Sequence, residues 1–142
     1  MALPFQEDDA MDPARLDAIP TLAALDGRAR EELAAAMREV TFAAGETVAT
    51  ERDFAYELFA IEDGEAEVRK DGELLRTLGA GDVFGEIALL ASGRRTATVT
   101  ATTPMRLLTL FTRDLQRLER RTPEVAEALR AVMRERMPRE SA

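Results

Sequence analysis

The sequence predicts an α+β fold, a small antiparallel β-roll or jelly roll with helices at both ends. Three observations carry that expectation. Apolar residues recur at helical spacing only near the ends of the chain, around Leu33 and again around Leu129. Between them the apolar period falls to two, and turn residues break this alternation roughly every 8–12 positions. The chain, at 142 residues, has the length of one domain.

Residues 1–11 carry Glu7, Asp8 and Asp9 and no base, and read as an acidic tail. A short helical stretch from Pro13 to Ile19 precedes Pro20, a breaker. The next helix is expected from about Arg28 to Glu39, with Asp26 as its N-cap and Leu33, Ala36 and Met37 on one face. Val40 and Phe42 then alternate with polar neighbours, Ala44-Gly45 turns the chain, and Thr47 and Ala49 resume the alternation. A strand follows with Tyr56, Leu58 and Ala60 on one side and Phe59 and Ile61 on the other, ending at Asp63-Gly64. Ala66 and Val68 lead to Asp71-Gly72, a two-residue hairpin signal because both positions need positive φ. Leu74, Leu75 and Leu78 form the return strand. Residues 84–90 break the pattern and read as one or two helical turns, after which strands are expected at Thr96–Thr100 and Met105–Leu110. Thr112 is placed to cap a helix running to about Arg121, and Thr122 to cap a last one with Pro123 at its first position. Val125, Leu129, Val132 and Met133 give that last helix an apolar stripe, either core or the seam of a homodimer.

Composition excludes whole classes of function. The chain has no Cys and no His, which removes thiolate nucleophiles, Cys-ligated metals, the commonest general base and the usual zinc ligand. Carboxylate-only catalysis survives, and neither enzyme activity nor a metal site is expected. A net charge of −8 argues against a grip on nucleic acid. The longest apolar runs, Ile87–Ala91 among them, are five residues, far short of the ~20 that span a bilayer. The N-terminal residues lack the basic start and apolar core of a signal peptide, so the cytoplasm is the expected compartment. Charge is unevenly spread: residues 1–91 sum to −13 and residues 92–142 to +5. The excess of Arg is either the solvated face of two helices or the means of holding an anion.

The segment that bears on chemistry runs from Phe84 to Val99, FGEIALLASGRRTATV. A short helix opening at Gly85 would present free N–H groups to an anion, and Gly85 permits close backbone approach. Arg94 and Arg95 follow, and the planar guanidinium matches phosphate oxygens. Glu86 beside a phosphate makes sense where the ligand also offers a hydroxyl. The same residues admit a purely structural reading, in which Phe84, Ile87, Leu89 and Leu90 are core and Glu86 pairs with Arg95.

The run FGEIALL, a three-residue spacer and RRTATV resembles the phosphate-binding cassette of the cyclic-nucleotide-binding domain family, which includes catabolite activator protein, protein kinase A regulatory subunits and cyclic-nucleotide-gated channels. The resemblance extends from about Ile19 to Met137, through Ile19-Pro20-Thr21-Leu22, Ala44-Gly45-Glu46-Thr47-Val48, the Leu58–Gly64 strand, Gly79-Ala80-Gly81-Asp82 and Thr122-Pro123-Glu124. It is strongest toward the channel-type domains. It implies a roll of about eight antiparallel strands, a short phosphate-binding helix, and C-terminal hinge and lid helices. The domain would span 19–138, after an acidic tail and short helix (1–18) and before a short tail (139–142).

By matching position, the resemblance assigns Glu86 to the ribose 2′-OH and Arg95 to the cyclic phosphate. It gives the phosphate pocket to the cassette opening at Phe84 and the backbone amides of Gly85, Ile87, Ala88 and Ala97. Val68 and Leu74 become walls for the base. Thr96 permits cGMP without requiring it. On the lid, Met133 would pack on the base, and Arg134 or, by its distance from Pro123, Arg136 would reach it. One departure is Glu51-Arg52-Asp53-Phe54-Ala55, where the family usually has E-G-D-x-G; this loop is expected to lie away from the cassette. Nothing after the lid can supply a helix-turn-helix, and residues 1–14 lack the basic cluster of a kinase pseudosubstrate. The function implied is a non-enzymatic sensor of cAMP, with cGMP as the second candidate, that moves its C-terminal helix to regulate a channel or another effector. The alternative is a degenerate member that binds no nucleotide and serves as an interaction or dimerisation module.

Overall fold

The computed structural model describes residues 11–85 and 93–136. A 3-10 turn (Pro13–Ala18) and helices α1 (Pro20–Ala23) and α2 (Gly27–Ala36) precede strands β1 (Arg38–Phe42), β2 (Thr47–Ala49), β3 (Glu57–Asp63), β4 (Ala66–Lys70), β5 (Glu73–Leu78) and β6 (Val83–Phe84). Strands β7 (Thr98–Ala101) and β8 (Met105–Phe111) follow, then helices α3 (Thr112–Arg121) and α4 (Pro123–Arg136). The strands pair antiparallel in two sheets ordered β1-β8-β3-β6 and β2-β7-β4-β5. This is the roll with flanking helices that the sequence predicts.

Local chemistry sets most boundaries. Asp26 caps α2, its Oδ1 accepting from the Ala29 N–H at 2.8 Å. The helix ends at Ala36 rather than Glu39, because Arg38 and Glu39 pair with Thr109 and Leu108 of β8 instead. Pro20 ends the 3-10 turn and also opens α1, where its missing N–H costs nothing. At the β4–β5 hairpin both Asp71 and Gly72 have positive φ, 51° and 82°. Tyr56 falls outside β3 and is exposed, its carbonyl accepting from the Thr112 N–H and hydroxyl. One expected cap is therefore corrected: Thr112 lies within its helix and its hydroxyl donates to the Tyr56 carbonyl. Thr122 does stand at the N-cap position before Pro123, its carbonyl accepting from Val125 and Ala126, while its hydroxyl donates back to the Leu118 carbonyl.

Two apolar clusters sit on either side of the sheet that contains β3. Phe59 and Ile61 pack with Ala66, Val68, Phe84, Val99 and Leu107 between the sheets. Leu58 and Ala60 face the other way, onto Leu16, Ile19, Leu33, Leu115, Leu129 and Met133 of the helices. The stripe of α4, with Val125, Leu129 and Met133 buried and Val132 partly so, is thus core within one chain rather than a free dimer seam.

The 3-10 turn is also tied to β3 by charge. Arg15 Nε donates to Glu62 at 2.9 Å, Arg15 Nη2 reaches Glu39 at 2.6 Å, and Arg106 Nε donates to Glu62 at 2.7 Å. The hydrogen bonds from Arg15, and after them that from Arg106, hold the Glu62 carboxyl down to about 2 against the opposing effect of burial. A depressed carboxyl stabilises the fold at neutral pH and loses that contribution as pH falls from its unfolded value toward about 2. Glu62→Gln is therefore expected to lower stability by about 2 kcal/mol at pH 7, allowing for solvent around its partners. Thermal unfolding of both forms across pH would show that gap closing between pH 4.5 and about 2.

Candidate ligand-binding site

The site begins at the Phe59–Phe84 register pair. Their rings stack with centroids 5.0 Å apart, which anchors the end of β6 in the inter-sheet core. Phe84 is therefore in a strand, not in the helical turn expected to start there. Gly85 follows with φ +83°. A Cβ at that position would stand 2.5 Å from Arg95 Nη1 and 2.9 Å from the Glu57 carbonyl oxygen, so glycine is required both by dihedral and by space.

Arg95 lies just before β7 and is 7% exposed. Its Nη2 donates to the Glu57 carbonyl oxygen at 2.9 Å and meets Glu57 Oε1 at 3.3 Å, while the guanidinium carbon is 5.5 Å from the centre of the Phe59 ring. Nη1 is buried beside Gly85 and has no hydrogen-bond partner among the described residues. Burial pushes the guanidinium below its usual range, and the charge and hydrogen bond of Glu57 oppose that shift. Arginine remains protonated regardless, so a buried positive charge faces Gly85 with donors to spare. Arg95 and Glu57 also line a groove of about 380 Å³ together with Val48, Asp53, Phe54 and Tyr56.

The loop at Glu51–Ala55 does not lie away from the cassette. The Arg52 N–H donates to the Arg95 carbonyl at 2.9 Å, the Arg95 N–H to the Asp53 carbonyl at 2.7 Å, and the Ala55 N–H to the Gly93 carbonyl at 3.0 Å. Arg94 donates to the Arg52 carbonyl and stacks its guanidinium 4.1 Å from the Phe54 ring centre. Where the family usually has glycine, Arg52 takes φ +75°, so the left-handed turn survives without it. Its ion pair with Asp71, at 2.8 Å, joins the loop to the tip of the β4–β5 hairpin.

Of the residues singled out in the sequence, the structure brings together Phe84, Gly85 and Arg95. Ala97 and Val68 are buried in the same inter-sheet cluster as Phe84. Thr96 is exposed beside Arg95. Leu74 is 47% exposed on β5 and is outside that cluster. Met133 is buried among the helices, across the β3 sheet from Phe84, and Arg134 pairs with Glu127 at 3.1 Å. Glu86, Ile87 and Ala88 lie outside the described residues, as does the side chain of Arg136. Glu57 was not legible as a site residue, since its partner is 38 positions away and nothing local marks it.

Residues 39–122 match the sequence model of the cyclic nucleotide-binding domain. The chain belongs to the cyclic nucleotide-binding domain family. It is 40% identical over 104 residues to a cAMP-dependent protein kinase regulatory subunit of Schizosaccharomyces pombe, covering 72% of this chain and 25% of that protein. It is 34% identical over 119 residues to a cyclic nucleotide-gated potassium channel of Rhizobium etli, covering 84% of this chain and 33% of that one. The chain thus spans a quarter to a third of these relatives. Among solved structures, the N-terminal domain of a transcriptional regulator from Streptomyces coelicolor A3(2) superposes with a TM-score of 0.74 at 36% identity, over 90% of this chain and 92% of that one. A cAMP-bound PfPKA-R fragment superposes at 0.70 with 26% identity, over 87% and 45%. Among the described residues, no helix is long and apolar enough to cross a membrane.

Gly85→Ala is expected to cost about 1–3 kcal/mol, since the added methyl meets a main-chain oxygen as well as Arg95 and the backbone must hold positive φ. Chemical denaturation of wild type and variant would check it.

Proposed function

We propose that this domain is a non-enzymatic sensor that binds a cyclic nucleotide at Arg95 and relays occupancy through its C-terminal helix to an effector. The observation that carries this reading is the buried Arg95 guanidinium, whose Nη1 beside Gly85 has no hydrogen-bond partner among the described residues, at the end of a sequence that resembles a phosphate-binding cassette. Leaving a buried charged donor unsatisfied costs about 1–3 kcal/mol, which an anion on Nη1 would recover. In this assignment Arg95 clamps the cyclic phosphate, the amides at Gly85, Ile87, Ala88 and Ala97 complete its cradle, and Glu86 accepts from the ribose hydroxyl. Val68 and Leu74 border the base. cAMP is the leading ligand, and Thr96 keeps cGMP in consideration. The relatives bearing regulatory-subunit and channel names support the sensor class.

The mechanism is a population shift: a ligand that contacts both the cassette and a repositioned α4 binds one conformation better and draws the helix toward it. In the conformation described, Met133 is committed to the helical core. Its role against the base therefore belongs to a second arrangement of α4, one that occupancy would favour.

A ligand of about 22 heavy atoms at ~0.3 kcal/mol each gives roughly 7 kcal/mol, or low-micromolar affinity. Calorimetric titration with cAMP and with cGMP, after removal of carried nucleotide, is expected to show saturable binding. Arg95→Ala should weaken it at least thirtyfold, equivalent to about 2 kcal/mol or more. No heat and no thermal shift with either nucleotide would overturn the reading in favour of an interaction module.

A further inference from the structure

The described structure answers the charge of Arg95 with one carboxylate. Glu57 opens β3 and brings both its main-chain and its side-chain oxygen to Nη2, while its own side chain remains 28% exposed at the edge of the groove. The two contacts differ in kind. The carbonyl bond, at 2.9 Å, belongs to the backbone of a strand paired with β8 and cannot move far. The carboxylate contact, at 3.3 Å, is longer than the 2.7–2.9 Å of a strong charge-assisted bond, and its partly exposed side chain can turn into solvent. We propose that Glu57 is a built-in competitor for Arg95, a carboxylate that holds the guanidinium in the absence of ligand and must be displaced, or tolerated at close range, by an incoming phosphate.

The inference rests on Arg95 being the phosphate clamp and adds what sets its affinity. Taking a guanidinium out of water is unfavourable unless an anion compensates it, and in the structure Glu57 supplies that compensation. A phosphate gripped through both terminal nitrogens would meet Glu57 at Nη2. Two anions a few ångströms apart repel, and repulsion is strong in a partly buried site. Part of the attraction between Arg95 and a ligand is therefore offset by the lost Glu57 contact. A ligand with further anchors, such as a ribose hydroxyl and a base, can overcome the offset, whereas a simple inorganic anion cannot. Glu57 thereby acts as a specificity-determining residue that keeps common anions off the clamp.

The test compares wild type, Glu57→Gln, Glu57→Ala and Arg95→Ala. Glutamine keeps a hydrogen-bond acceptor toward Nη2 and removes only the charge. Glu57→Gln is expected to bind cAMP about tenfold more tightly, a difference of about 1.4 kcal/mol. Without ligand it should melt at a lower temperature than wild type, because the buried guanidinium has lost its counter-charge. Glu57→Ala should repeat both effects, which guards against a folding artefact of either variant. Equal or weaker cAMP binding by both variants would overturn the proposal and make Glu57 a mere positioning residue.

A second arm uses inorganic phosphate and does not depend on the nucleotide reading. Phosphate should raise the melting temperature of Glu57→Gln more than that of wild type, and this excess should vanish when Arg95→Ala is added. If no form binds cAMP or cGMP but this phosphate response is seen, the cyclic-nucleotide reading fails and the competition stands. If neither arm separates Glu57→Gln from wild type, the competition fails.

Discussion

Strand β3 is buried on both faces, and the two halves of the molecule depend on that constraint. Phe59 and Ile61 close the space between the sheets, while Leu58 and Ala60 seat the helices. Both polar assemblies described here also start from this strand. Glu57 at its beginning meets Arg95, and Glu62 near its end meets Arg15 and Arg106. A shift of one residue in its register would exchange the two apolar faces and pull both carboxylates from their partners together. The pairing with β8, which runs from Glu57↔Phe111 to Asp63↔Arg106, is therefore what holds the candidate site and the N-terminal turn in a common frame.

The site itself is assembled by backbone as much as by side chains. Arg95 is positioned by reciprocal main-chain bonds with the 51–55 loop, and Gly85 leaves the room that its guanidinium fills. Arg52 explains why the loop keeps its shape without glycine. Left-handed geometry costs a non-glycine residue roughly 1–2 kcal/mol, and here it is held by the bond to the Arg95 carbonyl and the bond that Arg52 accepts from Arg94. The exposed ion pair to Asp71 adds little energy but links the loop to the hairpin tip. The loop and the clamp thus form one mechanical unit, and a change in either is felt by the other.

On the opposite face of the sheet, α4 packs its stripe against the helices and β3. Helix α4 is thereby placed across a single sheet from the inter-sheet cluster that contains Phe84 and Ala97. Close-packed interiors transmit strain, so a displacement at Gly85 and Arg95 has a short path to α4 through β3.

Much of the fold was determined by local sequence. Alternation defined the strands, Asp71-Gly72 defined a hairpin, Asp26 defined a cap, and the opposite faces of β3 could be assigned from Leu58 to Ile61 alone. Gly85 and the Arg94-Arg95 pair were also singled out by residue type and spacing, and the resemblance to a phosphate-binding cassette chose Arg95 between the two. What tertiary structure alone decided were the relations between distant segments. Strand pairing with β8 ended α2 at Ala36, the Tyr56 carbonyl drew the Thr112 hydroxyl away from capping, and the 51–55 loop came to rest against Arg94 and Arg95. Glu57 entered the site by the same route. Periodicity and capping act over a few residues, whereas a carboxylate finds a guanidinium 38 positions away only after two sheets have closed around it.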